Sequence, residues 1–329
     1  MVLISRSSKS LISNDYSPIN LENWQSAMTS SSAPAPSVSE VLNYLTKSPL
    51  PAILVDNTSN ETWARAYPEF LSKSISVVTP NKKAFSSDID LWDSIFNKAV
   101  QGTRGLVYHE ATVGAGLPII STLKDLVATG DKIHRIEGTF SGSLGFIFNQ
   151  FSPIGGSDLK FSDIVNVAKQ NGYTEPDPRE DLNGLDVARK VTILSRLSGY
   201  LVEGPSSFPV DSLIPKELES IESAADFMAK LPDFDEHFDK LRKEAYSEKK
   251  VLRYVGKVDL TGSGSVKVGI EKYDFSHPFA NLPETDNVIC FKTERYPSNL
   301  IVQGSGAGGA VTAAGVFADI IKVTERVGA

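Results

Sequence analysis

Along the first third of the chain, short runs of β-branched and aliphatic residues alternate with longer stretches whose apolar positions recur at helical spacing. That is the pattern of a parallel α/β sheet, with residues 2–5, 52–55, 75–79 and 106–108 as its buried strands. Residues 29–39, TSSSAPAPSVS, read as a surface loop because Ser and Pro dominate them. Beyond Leu117 the pattern changes. Residues 131–140 read as a strand, 143–151 as a short helix and 162–170 as another, with Ser162 as N-cap and Gly172 as its stop. Residues 178–198 give the longest helical pattern of this region, ended by Gly199. Residues 251–260 and 266–274 alternate apolar and polar across Gly262-Ser263-Gly264, a hairpin signal, and 287–294 and 299–303 add strands. A final helix over 308–327 follows a glycine-rich turn and is expected to pack back on the first sheet.

The expected fold class is α/β, an incomplete Rossmann-like parallel-sheet domain over residues 1–117 with an α+β domain over 118–303 and a returning helix over 304–329. The domain is read as incomplete because the sequence opens MVLISRSSKS, which resembles the second strand of a dinucleotide-binding fold, and no G-x-G-x-x-G precedes it. An unpaired central position in such a sheet exposes a groove. The reading is therefore a record short of about 30 residues of strand, turn and helix, a paralogue that lost cofactor binding, or a sheet that closes differently.

Composition narrows the classes. With 41% apolar and 22% charged residues over 329 positions the chain can bury a sizeable core. The formal net charge of −7 argues against binding a phosphate backbone, so nucleic acid is excluded as a partner. The single cysteine, Cys290, forms no disulfide within the chain, and the four histidines show no zinc-site spacing. No stretch reads as a signal peptide or a membrane span, so the cytoplasm is the expected compartment.

The densest chemistry lies in residues 173–190, YTEPDPREDLNGLDVARK, where Asp186 and Lys190 are four apart on one helical face. A carboxylate and an ammonium placed so can converge on a small polar substrate, although the same spacing describes an ordinary solvated ion pair. Lys82, in Asn81-Lys82-Lys83 just beyond a strand's carboxyl end, sits where open α/β sheets bind ligands; a surface lysine pair fits the same residues.

Read in order, NKKAF, HEATVGAGLPII, YTEPDPREDLNGLDVARK and QGSGAGG resemble the homoserine dehydrogenases of the fungal type, and the likeness covers nearly all of the chain. The resemblance implies reversible reduction of L-aspartate 4-semialdehyde to L-homoserine, on the branch to threonine, methionine and isoleucine. It implies that Lys190 is the general acid and base, with Lys82 as a second catalytic group, and that Tyr173, Glu175, Asp181 and Asp186 bind substrate. A lysine brought toward neutral pKa by partial burial suits that proton step. Gly142 and Ser143 match a Gly-Thr substrate contact, with Ser keeping the hydroxyl. For the cofactor it implies Asn57 and Thr58 near the nicotinamide half, Lys82 beside it, and Gly306 in a glycine turn. Arg6 and Ser7 stand where an acidic residue would read a ribose hydroxyl, so NADP is expected, with NAD possible. Backbone carbonyls of Glu110, Val113, Ala115 and Leu117 match a loop that wraps a structural monovalent cation such as sodium, and a homodimer through the second domain's sheet is implied. Aspartate-semialdehyde dehydrogenase chemistry is set aside, since Cys290 lies mid-strand with no adjacent histidine. A non-catalytic paralogue that binds a partner subunit is the alternative from another class.

Overall fold

In a computed structural model describing residues 1–98, 105–283 and 285–328, the opening apolar run becomes a hairpin. Strand β1 (Leu3–Ser5) pairs antiparallel with β2 (Ser10–Ile12). This corrects the expectation that residues 2–5 belong to the parallel sheet, because among the described residues β1 pairs with β2 alone. Local pairing satisfies the strand's amides at little loop-closure cost, and the Tyr44 hydroxyl pins the hairpin by donating to the Ser13 carbonyl at 2.7 Å. Two helices follow, α1 (Trp24–Ser30) and α2 (Val38–Thr46). They trim the loop read over 29–39 to residues 31–37, since 29–30 end α1 and 38–39 begin α2. Ser37 and Glu40 form a reciprocal capping box that starts α2, a use of serine that composition alone does not reveal.

The parallel sheet comprises β3 (Ile53–Val55), β4 (Ser76–Val78) and β5 (Val107–Tyr108) in that spatial order. Between β3 and β4 runs α3 (Glu61–Ser72), capped by Asn60, and beyond β4 lie α4 (Lys83–Ser86) and α5 (Ile89–Asp93). After β5, α6 (Ile120–Ala128) leads into a second layer. There β6 (Ile133–Thr139) is followed by α7 (Gly142–Phe151), α8 (Phe161–Gln170), α9 (Arg179–Leu182), α10 (Leu185–Leu197), α11 (Ala224–Lys230) and α12 (Asp235–Ser247). The long strands β7 (Lys250–Asp259) and β8 (Ser265–Asp274), then β9 (Asn287–Thr293) and β10 (Leu300–Gly304), complete an antiparallel sheet of order β10-β9-β6-β7-β8. The last helix, α13 (Gly309–Val327), returns to the parallel sheet, where Val316 and Val323 pack with Val78 and Ala111.

Two helix boundaries differ from the sequence reading. Lys160, not Ser162, precedes α8, and Ser162 instead gives its hydroxyl and amide protons to Asp235 at 2.7 and 2.8 Å. The single helix read over 178–198 is two, α9 and α10. Gly184 between them has φ +73°, and a methyl there would lie 2.0 Å from the Tyr254 hydroxyl, so the chain turns where only glycine fits.

The layers are tied by Arg196 of α10. Its guanidinium is 3% exposed and donates to the carbonyls of Phe85 (2.9 Å), Ser87 (2.6 Å), Val202 (3.1 Å) and Glu203 (3.1 Å). Thus α4, which follows the carboxyl end of β4, is fixed against α10.

Candidate active site

That tie brings two lysines from different layers onto one carboxylate. Asp186, in the first turn of α10, receives Lys190 at 2.7 Å on Oδ2 and Lys82 at 3.3 Å on Oδ1. Lys190 also donates to the Phe140 carbonyl at 2.6 Å, so its ammonium points to the junction of β6 and α7. Burial opposes charge on Asp186, but the two ammonium groups outweigh it and hold its carboxyl well below the usual range. Burial pushes the Lys82 ammonium below its ordinary pKa, with Asp186 opposing.

Lys82 is aimed by a network that begins on the parallel sheet. Asp56, buried at the carboxyl end of β3, accepts from the Tyr67 hydroxyl at 2.5 Å, the Asn81 amide at 3.1 Å and the Thr58 N–H at 2.9 Å. The Asn81 side chain in turn donates to the Asn60 carbonyl and accepts from the Lys83 N–H. One carboxylate therefore shapes both loops beyond β3 and β4, leaving Asn57 and Thr58 exposed at the ends of the strands.

On the other side of Phe140, the Ser141 hydroxyl caps α7 and lies 2.9 Å from the Ser143 hydroxyl. Ser143 donates to Asp181 at 2.7 Å, and the other oxygen of Asp181 accepts the Glu175 N–H at 2.9 Å. Burial raises the Asp181 pKa, against the hydrogen bond from Ser143. Asp181 thus spends both oxygens within the protein. Tyr173 lies edge-on to Phe146 with ring centroids 4.9 Å apart, and both Tyr173 and Glu175 are exposed. The structure brings Lys82, Gly142, Ser143, Asp181, Asp186 and Lys190 into one linked cluster, with Tyr173 and Glu175 at its rim.

Other residues singled out by sequence lie apart from this cluster. Arg6 and Ser7 occupy the exposed turn of the β1–β2 hairpin. Gly306 lies in the turn between β10 and α13. The segment after β5 packs beneath α13: the Glu110 N–H donates to the buried carboxylate of Asp319 at 2.8 Å, and the Glu110 side chain caps α6 through the Ile120 N–H at 2.7 Å. Gly114 and Ala115 there have φ +76° and +51°, a left-handed pair that redirects successive carbonyls, and for alanine it persists only under tertiary constraint. The Glu110 and Leu117 carbonyls accept the Val113 and Ile119 N–H groups. Among the described residues no group of three His, Cys, Asp or Glu side chains is placed to hold a metal, so any cation here would rest on main-chain oxygens. Cys290 is buried in β9, where burial pushes its thiol up to about 12, unsuited to nucleophilic attack.

Sequence reasoning passed over Asp56 as an organiser, Asn81, the Phe140 carbonyl, Arg196 and His109. His109 is 1% exposed, stacked on Phe85 at 4.2 Å, with Nε2 3.1 Å from the Lys124 ammonium and Nδ1 3.3 Å from the Thr112 hydroxyl. Burial, reinforced by Lys124, holds its pKa well below 6.5. The unfolded chain then binds a proton that the fold refuses, so stability is full above pH 6.5 and falls below it, by up to about 1.4 kcal/mol per pH unit. Urea midpoints at pH 7 and pH 5 should differ accordingly, and H109Q should flatten the difference. An unchanged profile in H109Q would refute this.

A parallel sheet whose strand ends face a lysine-bearing helix from an antiparallel-sheet layer is the arrangement of an α/β oxidoreductase. Comparison with known proteins agrees. The family profile described as homoserine dehydrogenase matches residues 118–321, and that described as homoserine dehydrogenase, NAD binding domain, matches residues 6–109. The homoserine dehydrogenase of Saccharomyces cerevisiae is 55% identical over 99% of this chain and 90% of its own length, and that of Schizosaccharomyces pombe 56% over 99% and 87%. Among solved structures, a Candida auris protein of unknown function superposes with a TM-score of 0.95 at 55% identity over 99% of this chain and 90% of that one. A hyperthermophilic archaeal homoserine dehydrogenase solved with NADPH gives 0.71 at 25% identity over 99% and 88%. The chain belongs to the homoserine dehydrogenase family.

Proposed function

We propose that the cluster around Asp186 reduces L-aspartate 4-semialdehyde to L-homoserine, reversibly, with NADPH preferred, in the pathway branch to threonine, methionine and isoleucine. The observation that carries this reading is the pair of lysines from two layers held on one carboxylate beside the Phe140 carbonyl. When bound, the nicotinamide nucleotide supplies a hydride to the aldehyde carbon. Lys190 supplies the proton that the carbonyl oxygen takes up, and in the reverse direction removes it. Asp186 orients both lysine side chains, and Lys82, reaching in from the nucleotide side, polarises the same oxygen. Glu175 and Tyr173 meet the substrate's amino group at the rim. The amides of Gly142 and Ser143 at the start of α7 meet its carboxylate. Asp181 acts through Ser143 and Glu175, since both of its oxygens are taken.

The residues present fit the nucleotide at one end: Asn57 and Thr58 stand exposed past β3, and Gly306 lets the turn after β10 pack closely on Asn287, where a Cβ would clash. The basic and hydroxyl groups of Arg6 and Ser7 suit a 2′-phosphate. The left-handed pair at Gly114 and Ala115 suits a monovalent cation such as sodium held by carbonyls of Glu110, Val113, Ala115 and Leu117. A homodimer through the antiparallel sheet fits the exposed Ile301 on its edge strand β10. No described helix is long and apolar enough to cross a membrane, and a cytoplasmic setting fits the free Cys290 thiol.

The test is aspartate-semialdehyde-dependent oxidation of NADPH by the purified chain. E175Q should raise KM for the aldehyde about tenfold, the weight of a charge-assisted hydrogen bond, with kcat nearly unchanged. No turnover with the wild-type chain would overturn the assignment, and an unchanged KM in E175Q would remove Glu175 from substrate binding.

A further inference from the structure

Asn287 opens β9, is 1% exposed, and neither its Oδ1 nor its Nδ2 meets a hydrogen-bond partner. Buried carboxamides are almost always paired, and one left orphaned costs free energy unless another state satisfies it. Its position is informative. Across the sheet, Asn287 is opposite Gly304 of β10, while the next residue, Val288, is opposite Thr139 of β6. Thr139 precedes Phe140, whose carbonyl holds Lys190. Asn287 therefore lies between the reacting cluster and the glycine turn. The contact with that turn is intimate: a methyl on Gly306 would sit 2.0 Å from Nδ2 and 2.3 Å from Cγ. Gly304 and Gly308 have φ +155° and +116°, and α13 begins directly afterwards with no side-chain cap. Flexible backbone thus lies against a carboxamide that lacks partners.

We propose that Asn287 is a positioning residue for the nicotinamide nucleotide. When the nucleotide binds, the turn over residues 304–308 changes its backbone conformation and pairs its peptide groups with the Asn287 carboxamide, which holds the turn against the ligand. Pairing on one face of the turn leaves its other face and the first amides of α13 directed at the bound molecule. The orphaned amide of the free protein is then one end of a two-state element, and nucleotide binding selects the other. This rests on the reading above that the turn belongs to the nucleotide site.

The test compares wild type with N287L, which replaces the carboxamide by an apolar group of similar size. In wild type, NADPH should slow hydrogen exchange at amides 305–311. N287L should melt no lower than wild type, since an unpaired polar group has been removed, yet bind NADPH about tenfold more weakly, the worth of one to two hydrogen bonds. It should lose the added exchange protection while KM for the aldehyde stays within about twofold. If N287L does not fold, N287D, which keeps the shape and the acceptors but not the donor, serves the same comparison. Wild-type NADPH affinity in these variants, or binding that leaves exchange at 305–311 unchanged, overturns the proposal alone. Failure of the wild-type chain to bind NADPH overturns it together with the nucleotide-site reading.

Discussion

K190M should lower kcat by about 10²- to 10⁴-fold, the range for removal of a positioned proton donor, with KM for the aldehyde changing far less. Lys190 touches two groups, Asp186 and the Phe140 carbonyl, so its loss leaves Asp186 still paired with Lys82 and the fold intact. Steady-state kinetics with NADPH in excess, alongside a melting curve, separates the two effects. K190R keeps the charge, but the planar, less acidic guanidinium cannot deliver a proton at neutral pH, so it should be nearly as slow. A K190M enzyme with wild-type kcat would move the proton step to Lys82.

The second large effect falls on Arg196. R196M should reduce stability by about 3 kcal/mol or more, because it strands four carbonyl groups that the guanidinium now satisfies. Two of them, on Phe85 and Ser87, belong to the segment that carries Lys82. The variant should therefore also lose activity at temperatures where it is folded, through a displaced Lys82 rather than a missing charge. Denaturant midpoints and kcat measured well below the melting temperature test both parts. Ordinary stability in R196M would show that the layers are joined elsewhere.

Much of this architecture was legible in the residue order, for reasons that also explain the errors. The β7–β8 hairpin was visible because period-two alternation flanks a glycine turn. Asp186 and Lys190 were visible as a pair because helical spacing alone makes them neighbours. Lys82 as partner of the same carboxylate was not, since it lies 104 positions earlier and tertiary packing, the Arg196 tie included, brings it there. Composition found the loop at 29–39 but set each end two residues too wide, because serine both caps helices and fills loops. Residues 2–5 were assigned to the parallel sheet because strand character does not specify a partner, and a nearer one at 10–12 was available. Arg196, Phe140 and Asn287 were invisible for a common reason: what matters about them is a main-chain group, or the lack of one, far away in sequence.

The return of α13 has a consequence for biosynthesis. Val78 and Ala111 leave the ribosome well before the residues that cover them, Val316 and Val323, which follow more than 200 positions later. At elongation rates of about 5–20 residues per second, that apolar face waits roughly 10–50 seconds for its cover. Nascent chains of this protein should therefore be clients of chaperones that shield exposed apolar surface, and translation stalled before Val316 should be a source of aggregation.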